Sequence, residues 1–82
     1  MLDKEKAYNG RIAIGSAIRS AREREGLSCL ELGSRIGVTR QTIFKIEQGK
    51  WNAGTDHLVS IASALGYEWA LCKNPLANVK EL

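Results

Sequence analysis

With 82 residues, the chain is long enough for one domain with a single small core and too short for a core plus a deep catalytic cleft. Its net charge of +3, from 12 Lys and Arg against 9 Asp and Glu, is a modest basic excess whose meaning depends on where the cations lie. Two distant cysteines, Cys29 and Cys72, and a single histidine, His57, make neither a disulfide scaffold nor a metal site, so a reducing compartment is expected and no metal.

The opening MLDKEKAYNGR is too charged for a secretory signal, and no apolar run approaches the ~20 residues of a membrane span, which points to the cytoplasm. Residues 1–11 are polar, lack periodicity and contain Asn9-Gly10, so a flexible arm is expected. It is either a plain disordered terminus or an arm whose Lys4, Lys6 or Arg11 meets a nucleic-acid backbone. A first helix, about Ile12 to Glu25, places Ile14, Ala17, Ile18 and Ala21 on one stripe and stops before Gly26. Arg22 belongs to the same inward region, where an unpaired guanidinium is costly to desolvate.

The run LSCLELGSRIGVTRQTIFKIEQG, Leu27 to Gly49, predicts two short helices joined by a tight turn, the pattern of a helix-turn-helix. Ser28 and Glu31 form an S-x-x-E capping box that starts a helix at Cys29. Leu32 and Ile36 share one face, with Leu30 and Leu27 beside it, and Gly37 supplies the left-handed backbone that ends a helix. Val38 fills the angle, and Thr39 caps a second helix from Arg40 to Gln48, closed by Gly49. At ~100° per residue, Ile43, Ile46 and Glu47 fall on one side of that helix, and Arg40, Gln41, Phe44, Lys45 and Gln48 on the other. The outward set holds cations, amides and an aromatic, with no acid. Arg can bridge both acceptors of guanine, Gln both groups of adenine, and an aromatic edge can rest on the thymine methyl, so Arg40, Gln41, Phe44 and Lys45 are the candidate base-reading residues. The plain alternative is a solvated face of good helix formers.

Lys50, Trp51 and Asn52 follow as a loop, in which Trp51 is either a lid over the core or an aromatic resting on sugar and backbone. A fourth helix, Thr55 to Leu65, has Thr55 as its cap, Leu58, Ile61, Ala62 and Leu65 at core spacing, and Gly66 as its stop. His57, near its start, is read as exposed. After Gly66 the period changes: Tyr67, Trp69 and Leu71 alternate with Glu68, Ala70 and Cys72, and Asn74-Pro75 ends a predicted strand. A strand in a helical domain finds a partner only in a second copy, which makes Tyr67, Trp69 and Leu71 candidate dimerisation residues. A fifth helix, or an ordered tail packing Trp69 on its own core, is the alternative. The expected division is an arm over 1–11, a helix-turn-helix domain over 12–66, a dimerisation segment over 67–74 and a loose tail over 75–82.

From Ile14 to Leu65 the chain resembles the phage-repressor-like, Cro/C1 or XRE type of helix-turn-helix. The resemblance is carried by Ile18-Arg19 and Arg22, Gly26-Leu27-Ser28, Glu31-Leu32, Gly37-Val38-Thr39-Arg40, Thr42-Ile43, Ile46-Glu47 and Gly49. Leu58, Ile61-Ala62 and Ala64-Leu65-Gly66 continue it through the fourth helix. Cys29 stands where the family commonly has a phosphate-binding Gln, Gly33 where Ala is usual, and Ala53-Gly54 where Pro-Ser is usual.

The resemblance implies an all-α, lambda-repressor-like domain of four core helices with a short C-terminal dimerisation strand. It implies an internal ion pair between Arg22 and Glu47, and DNA phosphate contacts from Ser28, Cys29, Thr39, Thr42, Gln48, Lys50 and Asn52. A strand after Leu65-Gly66 also resembles the HipB-like antitoxin branch, in which such strands pair across a dimer axis. The function expected is a dimeric, sequence-specific DNA-binding repressor on an inverted-repeat operator, either an antitoxin with a cognate toxin or a stand-alone regulator. A protein-interaction module of the same fold that does not bind DNA is the alternative. No catalytic triad, Cys-His pair or phosphate-binding glycine loop occurs, so neither an enzyme nor a cofactor is expected.

Overall fold

The computed structural model describes residues 2–74, so the tail expected over 75–82 lies outside the described residues. The first helix starts at a cap that the sequence reading passed over. The Asp3 carboxylate accepts the amides of Glu5 at 3.0 Å and Lys6 at 3.1 Å, satisfying two donors that a helix start leaves open. From there α1 runs over Lys4–Arg24. The expectation of a flexible arm is corrected for residues 4–11, which are helical. Lys, Glu and Ala favour the helix, and the single Gly10 costs only about 1 kcal/mol of propensity.

The helix-turn-helix follows as α2, Cys29–Ile36, and α3, Arg40–Glu47. The Ser28 hydroxyl accepts the Glu31 amide at 3.0 Å while the Glu31 carboxylate accepts the Ser28 amide at 2.9 Å, a reciprocal box. Gly37, at φ +80°, ends α2, and the Val38 amide reaches back to the Gly33 carbonyl at 2.9 Å. That turn lies so close to α2 that a Cβ on Gly33 would sit 2.6 Å from the Val38 carbonyl oxygen. The Thr39 hydroxyl then caps α3 by accepting the Thr42 amide at 3.2 Å.

Helix α4 spans Thr55–Leu65. Its cap is Gly54, which makes no side-chain bond, so the assignment of Thr55 as cap is corrected: Thr55 is already the first helical residue. Gly54 takes the extended cap backbone itself, and its carbonyl accepts the Leu58 amide at 3.1 Å.

α3 packs on α2 and α1, and α4 packs on the same two helices from the other side of the core. Leu32, Ile43 and Ile61 are fully buried, with Ile18, Ala21, Ile46 and Leu65 around them. Each large apolar side chain so buried contributes about 1.5–3 kcal/mol. The inward stripe of α1 is Gly15, Ile18 and Ala21; Ile14 and Ala17 are exposed, as is Leu30 of α2. The seam is set by Gly15, whose missing side chain lets α1 lie directly against α3: a Cβ there would fall 2.4 Å from the Glu47 carbonyl oxygen.

Residues 67–74 carry no regular secondary structure, so the expected strand is corrected to an irregular tail. A strand has no hydrogen-bonding edge to join in one chain of helices. The tail is instead tied back to α4, the Trp69 indole N–H donating to the Leu58 carbonyl at 2.7 Å.

Candidate nucleic-acid interface

Helix α3 has two faces of opposite character. Ile43, Ile46 and Glu47 are buried, and Arg40, Gln41, Phe44, Lys45 and Gln48 are exposed, Phe44 to 52%. An isolated acid next to this surface would repel a polyanion, and the one carboxylate of α3 is removed from it by pairing. Arg22 Nε donates to Glu47 Oε2 at 2.7 Å, and Nη2 donates to Oε1 at 2.9 Å. The third nitrogen of the fork, Nη1, donates to the Leu27 carbonyl at 2.8 Å. The bond to Glu47 raises the Arg22 pKa above its already high ordinary value, so the guanidinium is permanently charged.

The same carboxylate draws in Cys29. Its thiol lies 4.0 Å from Glu47 Oε1, and burial, followed by the Glu47 charge, pushes its pKa up from the ordinary thiol value. The Cys29 side chain therefore faces the ion pair, which corrects its assignment as a phosphate ligand. A longer Gln at this position has the reach to turn outward; a thiol one bond beyond Cβ does not.

The other residues assigned to phosphate flank α3. At its start the Thr39 and Thr42 hydroxyls lie 3.0 Å apart, so one of the two donates to the other. The Ser28 hydroxyl, at the start of α2, is engaged with Glu31, whose amide it accepts at 3.0 Å. Past the end of α3, Gln48, Lys50 and Asn52 are exposed. Gly49, at φ +72°, turns the chain there, with its amide on the Ile46 carbonyl at 3.0 Å and the Lys50 amide on the Lys45 carbonyl at 3.0 Å. An eight-residue helix is about 12 Å long, a length that a major groove of about 12 Å width admits with flanking donors on either wall.

Two further cations are engaged within the fold. Arg35 donates to the Ala64 carbonyl at 3.2 Å, closing the end of α4, and Arg11 donates to the Gly49 carbonyl at 3.2 Å. Neither link has a local sequence signal, since the partners lie 29 and 38 residues away. Trp51 is partly buried, at 40% exposure, and meets the half-buried His57 edge to face, ring centres 5.4 Å apart. Among the described residues no three His, Cys, Asp or Glu side chains gather to hold a metal, and no helix is long and apolar enough to cross a membrane.

The description of the helix-turn-helix family matches residues 18–71, more than half of the chain. The chain belongs to the helix-turn-helix family, of the Cro/C1 (XRE) type. An uncharacterised HTH-type transcriptional regulator of Methanothermobacter thermautotrophicus is 45% identical over 51 residues, covering 62% of this chain and 74% of that protein. The uncharacterised HTH-type transcriptional regulator y4dL of Sinorhizobium fredii is 38% identical over 63 residues, covering 77% of this chain but only 32% of its own length. The crystal structure of the clp gene regulator ClgR from Corynebacterium glutamicum superposes with a TM-score of 0.69 at 31% identity, covering 71% of this chain and 62% of that one. The chain thus spans about a third of y4dL and under two thirds of that ClgR chain.

Proposed function

We propose that this helix-turn-helix chain is a sequence-specific DNA-binding transcriptional regulator that works as a dimeric repressor, occluding its operator. The observation that carries the reading is the outward face of α3, where Arg40, Gln41, Phe44, Lys45 and Gln48 are exposed while Glu47 is buried on Arg22. Arg40, Gln41, Phe44 and Lys45 read base edges in the major groove. Ser28, Thr39, Thr42, Gln48, Lys50 and Asn52 hold the phosphates on either side, and these contacts fix register without carrying sequence information.

The dimer rests on the tail. Tyr67 and Trp69, 40% and 43% exposed, line a hollow of about 240 Å³ between α1 and α4, and Leu71 beyond them is fully exposed. Large exposed apolar side chains grouped beside a hollow favour association over solvation. The stand-alone regulator is the reading kept over the antitoxin, because the relatives that the chain resembles are named as transcriptional or gene regulators.

Selection of bound duplexes from a random pool tests the proposal. The expected result is an inverted repeat whose half-sites lie one helical turn, about 34 Å, apart. Failure to bind any duplex at low salt would leave the protein-interaction reading. A single, unrepeated site together with a monomer in sedimentation would remove the dimer and keep the DNA reading.

A further inference from the structure

Helix α1 begins nearly four turns before the family match, and within those turns a side chain reaches across to the end of α3. Arg11 Nε donates to the Gly49 carbonyl at 3.2 Å, and the Arg11 guanidinium lies 5.6 Å from the centre of the Tyr8 ring, which holds it from the side. The next residue, Ile12, closes on Gly49 so tightly that a Cβ on that glycine would fall 2.8 Å from Ile12 Cγ1 and 3.0 Å from its amide nitrogen.

The Gly49 carbonyl and the Lys50 amide belong to one planar peptide unit. Its oxygen is held by Arg11 and its N–H by the Lys45 carbonyl, so the unit cannot rotate without breaking one of the two bonds. The direction in which the chain leaves α3 toward Lys50, Trp51 and Asn52 follows from that orientation. We infer that Arg11 is a positioning residue for the loop after the recognition helix: it sets Lys50 against DNA phosphate through the Gly49–Lys50 peptide, and does not touch DNA itself. The inference deepens the DNA-binding reading and depends on it for the role of Lys50.

The test uses Arg11→Met, which keeps an apolar stem against Tyr8 and removes the donor, compared with Lys50→Ala and with both changes together. On a random duplex Arg11→Met should weaken binding about fivefold near 0.15 M salt, the counterion value of one phosphate contact, and lower the slope of log affinity against log salt by about 0.9. The double variant should bind no more weakly than Lys50→Ala alone, because both changes remove the same contact. Additive losses would make Arg11 a direct DNA contact, and an unaffected Arg11→Met would leave it without a role; either overturns the inference. Amide hydrogen exchange supplies a reading without DNA. In Arg11→Met the Lys50 amide should exchange several-fold faster while Ile43 and Ile46 keep their protection. Unchanged exchange at Lys50, or loss of protection throughout, would overturn the positioning role, whereas faster exchange at Lys50 in a protein that binds no duplex would fault the DNA reading alone.

Discussion

Arg22 and Glu47 meet through two parallel hydrogen bonds of 2.7 and 2.9 Å, joining the last turn of α1 to the last turn of α3. The pair does two things at once. It fixes the roll of α3, which decides which side chains face outward, and it withdraws the only acid of α3 from the exposed face.

Removing the acid alone should therefore be costly. Glu47→Ala strands a guanidinium whose side chain is only 11% exposed, and should destabilise the fold by about 3–5 kcal/mol. Glu23→Ala breaks the exposed pair with Arg19, both side chains more than half accessible, and should cost under about 1 kcal/mol. Chemical denaturation of the two variants separates the cases, and equal midpoints would deny the buried pair its structural role.

Gly10 and Gly15 lie in the same helix and should respond oppositely to the same substitution. A Cβ at Gly10 meets nothing within 4 Å, so Gly10→Ala should stabilise by up to about 1 kcal/mol through helix propensity alone. A Cβ at Gly15 would lie 2.4 Å and 2.5 Å from the carbonyl oxygens of Glu47 and Ile46, backbone atoms that move only if α3 moves. Gly15→Ala should destabilise by about 1–3 kcal/mol, the usual range for overpacking. Thermal melts of both variants check the prediction, and a stabilised Gly15→Ala would mean that the seam between α1 and α3 is looser than described.

How much of this was legible in the sequence follows from the range of the interactions. The caps at Ser28 and Thr39 and the left-handed glycines at Gly37, Gly49 and Gly66 are local chemistry, and the bounds of α2 and α3 agree with them to within a residue. The division of α3 into Ile43, Ile46 and Glu47 inside and Arg40, Gln41, Phe44, Lys45 and Gln48 outside follows from helical period, so the candidate site was readable. The start of α1 was hidden because Asn9-Gly10 looks like a break, while the Asp3 cap and the Arg11 bond that outweigh it are weak or distant signals. Gly15 was unremarked for the same reason: the backbone it admits is more than 30 residues away. The tail from Tyr67 alternates like a strand, but alternation states only which side chains match, and no paired edge exists within one chain.

The capping box should show in acid. The Ser28 amide, and after it the Ser28 hydroxyl, hold the Glu31 carboxylate below the usual glutamate range. A depressed folded-state pKa contributes stability that is fully present above the unfolded-state value and is lost as pH falls through the folded one. Glu31→Gln keeps an acceptor for the Ser28 amide and has no proton to gain, so its stability should fall less steeply than the parent's below the glutamate range. Parallel profiles for the two proteins under urea between neutral and acid pH would contradict the box.

The central claim, that the outward face of α3 reads bases, is tested most directly by the affinity of Arg40→Ala for a selected duplex and for a random one. Arg40 opens α3 and is exposed, and a bidentate contact to guanine is worth about 1–3 kcal/mol of discrimination. The variant should lose about that much on the selected site and much less on random DNA, with preference flattened at one position in each half-site. Equal weakening on both duplexes would make Arg40 a phosphate contact and contradict the claim.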